Sequence, residues 1–110
     1  MDIKNNYKEK LILLIVTTEP KLSNSYDLLK VLEWKFDFFD PRNIISYLIQ
    51  SGMLTVEVKE KIKYYKITRR GLIYLNENTD ILKNVLYYEF QKQEDFLNIL
   101  FKKFALSEED

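Results

Sequence analysis

The apolar residues of this chain change period twice, and that double switch limits the folds open to it. Up to Gly52 they recur at helical spacing, from Leu54 to Thr68 they alternate, and from Arg69 onward they are helical again. A short β-ribbon must therefore sit among helices. The expected fold class is mainly α with a small β-hairpin (α+β).

The punctuation agrees with the periods. Tyr7–Thr18 has Leu11, Leu14, Ile15 and Thr18 at helical spacing, and Pro20 closes it. Ile12, Leu13 and Val16 make it apolar on most sides, as a central helix would be, although its β-branched residues also permit a strand. Ser23-Asn24-Ser25 offers caps for Tyr26–Phe36, where Leu28, Leu29, Leu32 and Phe36 form one stripe. Phe36-Asp37-Phe38-Phe39 then breaks the period as a turn with aromatic anchors. Asp40-Pro41 is a strong helix start, since aspartate can cap and proline at the first helical position loses only an N–H that had no partner. Gly52 supplies a left-handed stop. Between them Ile44, Ile45, Leu48 and Ile49 face inward, leaving Arg42, Asn43, Ser46 and Gln50 outside. Leu54–Lys59 and Lys61–Thr68 read as a hairpin with Glu60 and Lys61 at its tip, in which Ile62, Ile67 and one of Tyr64 and Tyr65 face inward. The tip lacks the Gly or Asn that would define its turn type. Thr68 can cap a helix over Arg69–Leu75, where Gly71 permits close packing.

From Thr79, Leu82, Val85, Leu86, Phe90, Leu97, Leu100, Phe101 and Phe104 hold a helical period through the polar patch Gln91–Asp95. A single helix over Asp80–Phe104 would be ~38 Å long, more than one small domain covers. These eight apolar residues are therefore expected to form a dimer interface. The alternative is two shorter helices, broken near Gln91–Asp95 and folded back on the same chain. Ser107–Asp110 reads as an acidic, frayed end. The expected organisation is one domain over residues 1–78 and a helical extension over 79–110.

Charge is distributed unevenly. Lys59–Arg70 carries six basic residues and one acid, whereas residues 71–110 carry four basic and eight acidic, and the whole chain sums to zero. A basic ribbon thus opposes an acidic tail. Cysteine and histidine are absent, which removes disulfides, thiol nucleophiles, Cys/His zinc sites and imidazole catalysis. Two glycines leave no glycine-rich phosphate loop. Glu9, Glu19, Glu33 and Asp37 show no pairing that demands acid–base work. The expectation is a non-enzyme without metal or cofactor. The longest apolar run, Leu11–Val16, is far short of the ~20 residues needed to span a bilayer. With no signal peptide visible at the start, no membrane association and a cytoplasmic location are expected.

Two strings carry a likeness to a known fold. YLIQSGMLTVEV (Tyr47–Val58) looks like the end of a recognition helix running through a Leu-x-x-x-Gly-Leu element into a wing. YYKITRRGLIYL (Tyr64–Leu75) looks like the wing's return strand followed by a Tyr-x-Leu/Ile-Thr-x-x-Gly-x-x-x-Leu pattern. With the helices before them, roughly residues 5–78 resemble the winged helix-turn-helix of prokaryotic transcriptional regulators such as the MarR and PadR groups. The resemblance implies a winged helix with a long C-terminal helix, sequence-specific binding of double-stranded DNA, and a homodimer. Arg42, Asn43, Ser46 and Gln50 would then read base edges, and Lys59, Lys61, Lys63, Lys66, Arg69 and Arg70 would hold phosphates.

Plainer readings stand beside these. The outer face of Asp40–Ser51 is also what any amphipathic helix presents, and lysines protect exposed hairpin edges from pairing. The segment Asp40–Ser51 holds one cation, Arg42, and net charge is zero. Both facts suit a winged-helix protein-interaction module without DNA binding. Trp34, Phe36, Phe38 and Phe39 could line a pocket for a small apolar effector, although aromatic clusters are more often core.

Overall fold

The computed structural model describes residues 3–108, with side chains described for 7–106. The chain is mainly helical with one two-stranded antiparallel hairpin, the class its periodicity implies. Helix α1 (Ile3–Thr18) leads through a 3-10 turn at Pro20–Leu22 to α2 (Ser25–Trp34) and α3 (Pro41–Gln50). Strands β1 (Leu54–Lys59) and β2 (Ile62–Ile67) follow, then α4 (Arg69–Asn76), α5 (Thr79–Glu89), a 3-10 turn at Gln91–Gln93 and α6 (Glu94–Glu108). Of the expected acidic end, Glu109 and Asp110 lie outside the described residues.

Helix α1 is the axle, which settles helix over strand for this run. Leu11 through Val16 are all buried, and α1 packs against α3, α4, α5, α6 and β2. A helix apolar all round has to be enclosed by others. Polar contacts fix its rotation: Tyr74 donates its hydroxyl to Glu9 over 2.9 Å, and the Lys103 ammonium reaches Glu19 at 2.5 Å. Lys10 is buried, donates to the Glu77 carbonyl at 2.8 Å and lies over the Tyr74 ring. Its cation thereby meets the C-terminal end of α4, where the helix dipole favours positive charge. Burial nevertheless lowers its pKa, against the pull of Glu77 and Glu9.

Asn24 caps α2 by accepting from the Asp27 amide at 2.8 Å, while Leu28 and Leu32 turn to the core. The connection to α3 anchors itself through buried Phe36 and Phe38; Phe39 is 99% exposed and anchors nothing. Pro41 opens α3, but the Asp40 carboxylate does not cap it. It accepts instead from the Asn43 side chain. Gly52 ends α3 at φ +78°, the left-handed geometry expected of it.

The hairpin pairs Leu54 with Ile67, Val56 with Tyr65 and Val58 with Lys63 on one side, and Thr55 with Lys66, Glu57 with Tyr64 and Lys59 with Ile62 on the other. Tyr65 is thus the inward tyrosine, and Ile62 lies on the outer side, contrary to the expectation for it. Glu60 and Lys61 close the hairpin as a two-residue loop with φ +51° and +71°, the type I′ signature. Thr68 caps α4, accepting from the Gly71 amide at 3.0 Å and donating to the Gly52 carbonyl at 2.6 Å. A Cβ on Gly71 would lie 2.4 Å from the Met53 carbonyl oxygen, so this crossing admits glycine alone.

The long C-terminal helix is not formed. Phe90 leaves helical geometry at φ −125°, ψ 55°, and α6 doubles back along α1. Straight, the segment would span ~38 Å, the whole of the molecule's longest extent, 37 Å. Bending lets Phe90 pack on Phe36 (ring centroids 4.9 Å apart, edge to face), Tyr7 and Phe38. The residues expected at a dimer interface are consequently used inside the chain. Leu82, Leu86, Leu97, Leu100, Phe101 and Phe104 are buried in the common core, and Val85 and Phe90 are half-buried. Residues 79–108 therefore share a core with the preceding helices rather than extending from it.

Candidate nucleic-acid interface

A short, well-stopped helix and a projecting ribbon frame one groove. Inward-facing Ile45 and Leu48 fix the rotation of α3, so Arg42, Asn43, Ser46 and Gln50 are all exposed on its outer side. The hairpin leaves the core after Leu54. Beyond that residue Val56 and Val58 of β1 are exposed, while Tyr65 and Ile67 of β2 stay packed against the core, and the inner side opens toward α2 and α3. The resulting groove, about 410 Å³, is lined by Ser25 and Leu29 of α2, by Arg42 and Ser46 of α3, and by Val56, Lys61, Lys63 and Tyr65 of the hairpin. Tyr65 is half-buried there; burial raises its hydroxyl pKa, opposed by the nearby Arg42 guanidinium.

The expected site residues separate by register. Arg42, Ser46, Lys61 and Lys63 come together in the groove, whereas Asn43 and Gln50 are exposed on α3 but do not line it. Asn43 is also held by Asp40. Lys59 and Lys66 alternate onto the opposite side with Glu57 and Tyr64, and Lys59 lies 3.9 Å from Glu57. Arg69 and Arg70 occupy the first turn of α4, exposed, where a helix dipole disfavours cations. Among the described residues, Lys61, Lys63, Lys66, Arg69 and Arg70 have no carboxylate within ion-pair distance. An anion entering the groove would meet cations that the fold leaves uncompensated.

Tyr47 is the residue the sequence pattern passed over. It is 50% exposed and completes an Asn43, Ser46, Tyr47, Gln50 face at i, i+3, i+4, i+7 spacing, a signal available in the sequence. Trp34, Phe36 and Phe38 line a separate open cavity of about 620 Å³ with Tyr7 and Phe90, while Phe39 points to solvent. Glu9 and Glu19 are engaged by Tyr74 and Lys103, as structural contacts. No group of three or more carboxylates among the described residues could hold a metal ion. No helix among them is long and apolar enough to cross a membrane. Comparison with family models, with curated proteins and with solved structures finds no match for this chain.

Proposed function

We propose that this protein is a winged-helix binder of double-stranded DNA, acting as a transcriptional regulator in the prokaryotic cytoplasm. The observation that carries the reading is the groove itself: exposed Arg42 and Ser46 on a short helix stopped by Gly52 stand beside Lys61 and Lys63 on a projecting ribbon. Helix α3 is the element for the major groove, with Arg42 and Gln50 offering paired hydrogen bonds to guanine and adenine edges. The hairpin and the start of α4 supply the phosphate grip. Phosphate attraction is better supported than base reading, since α3 has one cation whereas the segment Lys59–Arg70 has six.

Titration of a random-sequence duplex across a salt series tests it. Contact with ~6 phosphates gives a log K against log salt slope near −5. Lys63→Glu should weaken binding more than Lys66→Glu, because Lys63 faces α3 and Lys66 faces away. Absence of duplex binding even at low salt would sink the reading. The neutral net charge and the exposed Tyr26 and Trp34 on α2 favour a second reading, a protein-interaction module. Partner capture unaffected by Lys61→Glu, Lys63→Glu and Lys66→Glu together, with no DNA retention, would select it.

A further inference from the structure

Helix α2 turns two large rings to solvent that its own core does not use. Tyr26 and Trp34 are 75% and 78% exposed and share one stripe of the helix, with exposed Lys30 midway between them. The rings are separated by a rise of ~12 Å along the axis. The Lys30 ammonium lies 5.4 Å from the Trp34 ring centroid, so cation and ring act as one unit. All three line an open cavity of about 470 Å³ together with Leu29, Glu33 and Arg42. Leu29 and Arg42 also line the groove between α3 and the hairpin, so the two depressions meet at these residues. The joined surface sets Lys30, Arg42, Lys61 and Lys63 against one carboxylate, Glu33, among its described lining residues. None of the four cations belongs to an ion pair among the described residues. A polyanion thus finds a continuous path with aromatic rings at its α2 end.

Rings and cations in alternation match one class of polyanion. A duplex keeps its base faces stacked inside and offers edges and phosphates, for which exposed ring faces have no use. An unpaired strand offers the base faces themselves, which stack on aromatic side chains while its phosphates meet Lys and Arg. A protein partner would also cover the rings, but the cores of protein interfaces are depleted in lysine, and here Lys30 stands between the rings. We infer that the outer face of α2 binds an unpaired nucleic-acid strand. Its bases stack on Tyr26 and Trp34, and its backbone runs over Lys30 and Arg42 toward Lys61 and Lys63. The ~12 Å between the rings exceeds three steps of a stacked strand at ~3.4 Å each, so the bound segment is about four nucleotides or longer.

This goes beyond the duplex reading and is tested apart from it. Trp34 is the only tryptophan in the chain, so its fluorescence reports the α2 face. An oligothymidylate of about ten nucleotides, within the ~4–16 that a small domain occupies, should quench it. A blunt duplex should not, whether or not it binds in the groove. Contact with ~4 phosphates of a single strand gives a log K against log salt slope of about −3. Tyr26→Ala should weaken the oligothymidylate about tenfold by the same signal. Trp34→Ala should weaken it by a similar factor, read from the anisotropy of a labelled strand. Phe39→Ala removes a still more exposed ring that lines neither depression, and should leave the affinity unchanged. All three side chains are exposed, and circular dichroism checks that each variant folds. Absence of quenching at low salt overturns the inference even if the blunt duplex binds, and a face built for a protein partner gives that result. Equal quenching by the blunt duplex also overturns it, as does a loss in Phe39→Ala that matches the loss in Tyr26→Ala. Quenching by the oligothymidylate with no duplex binding would overturn the duplex reading and leave this one standing.

Discussion

Replacing the hairpin tip Glu60-Lys61 by Asn-Gly should make the protein more stable while weakening its hold on DNA. Both tip residues sit at positive φ, +51° and +71°, where a side chain with Cβ costs about 1–2 kcal/mol relative to the right-handed region. Asparagine tolerates that geometry and glycine adopts it freely, so E60N/K61G recovers roughly 2 kcal/mol in the folded state. Glycine's extra freedom in the unfolded chain offsets about 0.5–1 kcal/mol. The net gain is about 1 kcal/mol, or ~4 °C in Tm for a chain of this size. Loss of Lys61 from the groove should make the salt slope for duplex binding shallower by about 0.9. Glu60→Asn alone keeps the cation and should raise Tm by a smaller amount without that change. Thermal unfolding by circular dichroism and duplex titration report the two effects separately. A folded E60N/K61G variant whose Tm is unchanged or lower would refute the view that the tip is strained. An unchanged salt slope would remove Lys61 from the phosphate contacts.

Other expectations follow from packing and protonation. Gly71→Ala drives a Cβ to 2.4 Å from the Met53 carbonyl and 2.7 Å from Ile67 Cγ1; urea titration should find a loss of about 3 kcal/mol, at the upper end for overpacking. Leu100→Ala should cost about 2–5 kcal/mol in the same assay at any protein concentration, because Leu100 is fully buried within its own chain. A loss that vanished on dilution would return that residue to an interface. Burial, then the hydrogen bond to Glu9, holds the Tyr74 pKa above its usual 10.0. The folded state keeps a proton that the unfolded chain releases, so this contribution is whole below pH 10.0 and is lost as pH rises beyond it. Tyr74→Phe should flatten the alkaline fall in the urea midpoint; an unaltered slope would contradict the assignment.

The hairpin and the bounds of α3 were legible because each is written locally. A change of period marks strands, and Pro41 and Gly52 have backbone preferences that act without help from distant residues. The fate of the tail was not legible. Periodicity identifies the apolar side of Leu82–Phe104 but not whose surface covers it, and Phe90 breaks the helix with no glycine or proline to announce it. Its departure is driven by Phe36, Phe38 and Tyr7, residues far away in sequence. The candidate site divides the same way. Helical spacing gave the outer face of α3, and would have given Tyr47. Sorting the hairpin cations required the register, which depends on the Glu60-Lys61 loop length, since a one-residue slip exchanges the two sides. The Asp40 cap failed for a local reason, competition from the Asn43 side chain, which sequence spacing allows but does not decide.

The enclosure of α1 has a bearing on how the protein is made. Translation delivers this helix, apolar all round over Leu11–Val16, before the other elements packed against it, and delivers α6 last of them. At ribosomal speeds the interval is on the order of 10 s. Throughout it, Leu11–Val16 has an incomplete cover. Native closure must therefore await emergence of the C-terminal helix, and until then the uncovered run is open to non-native association.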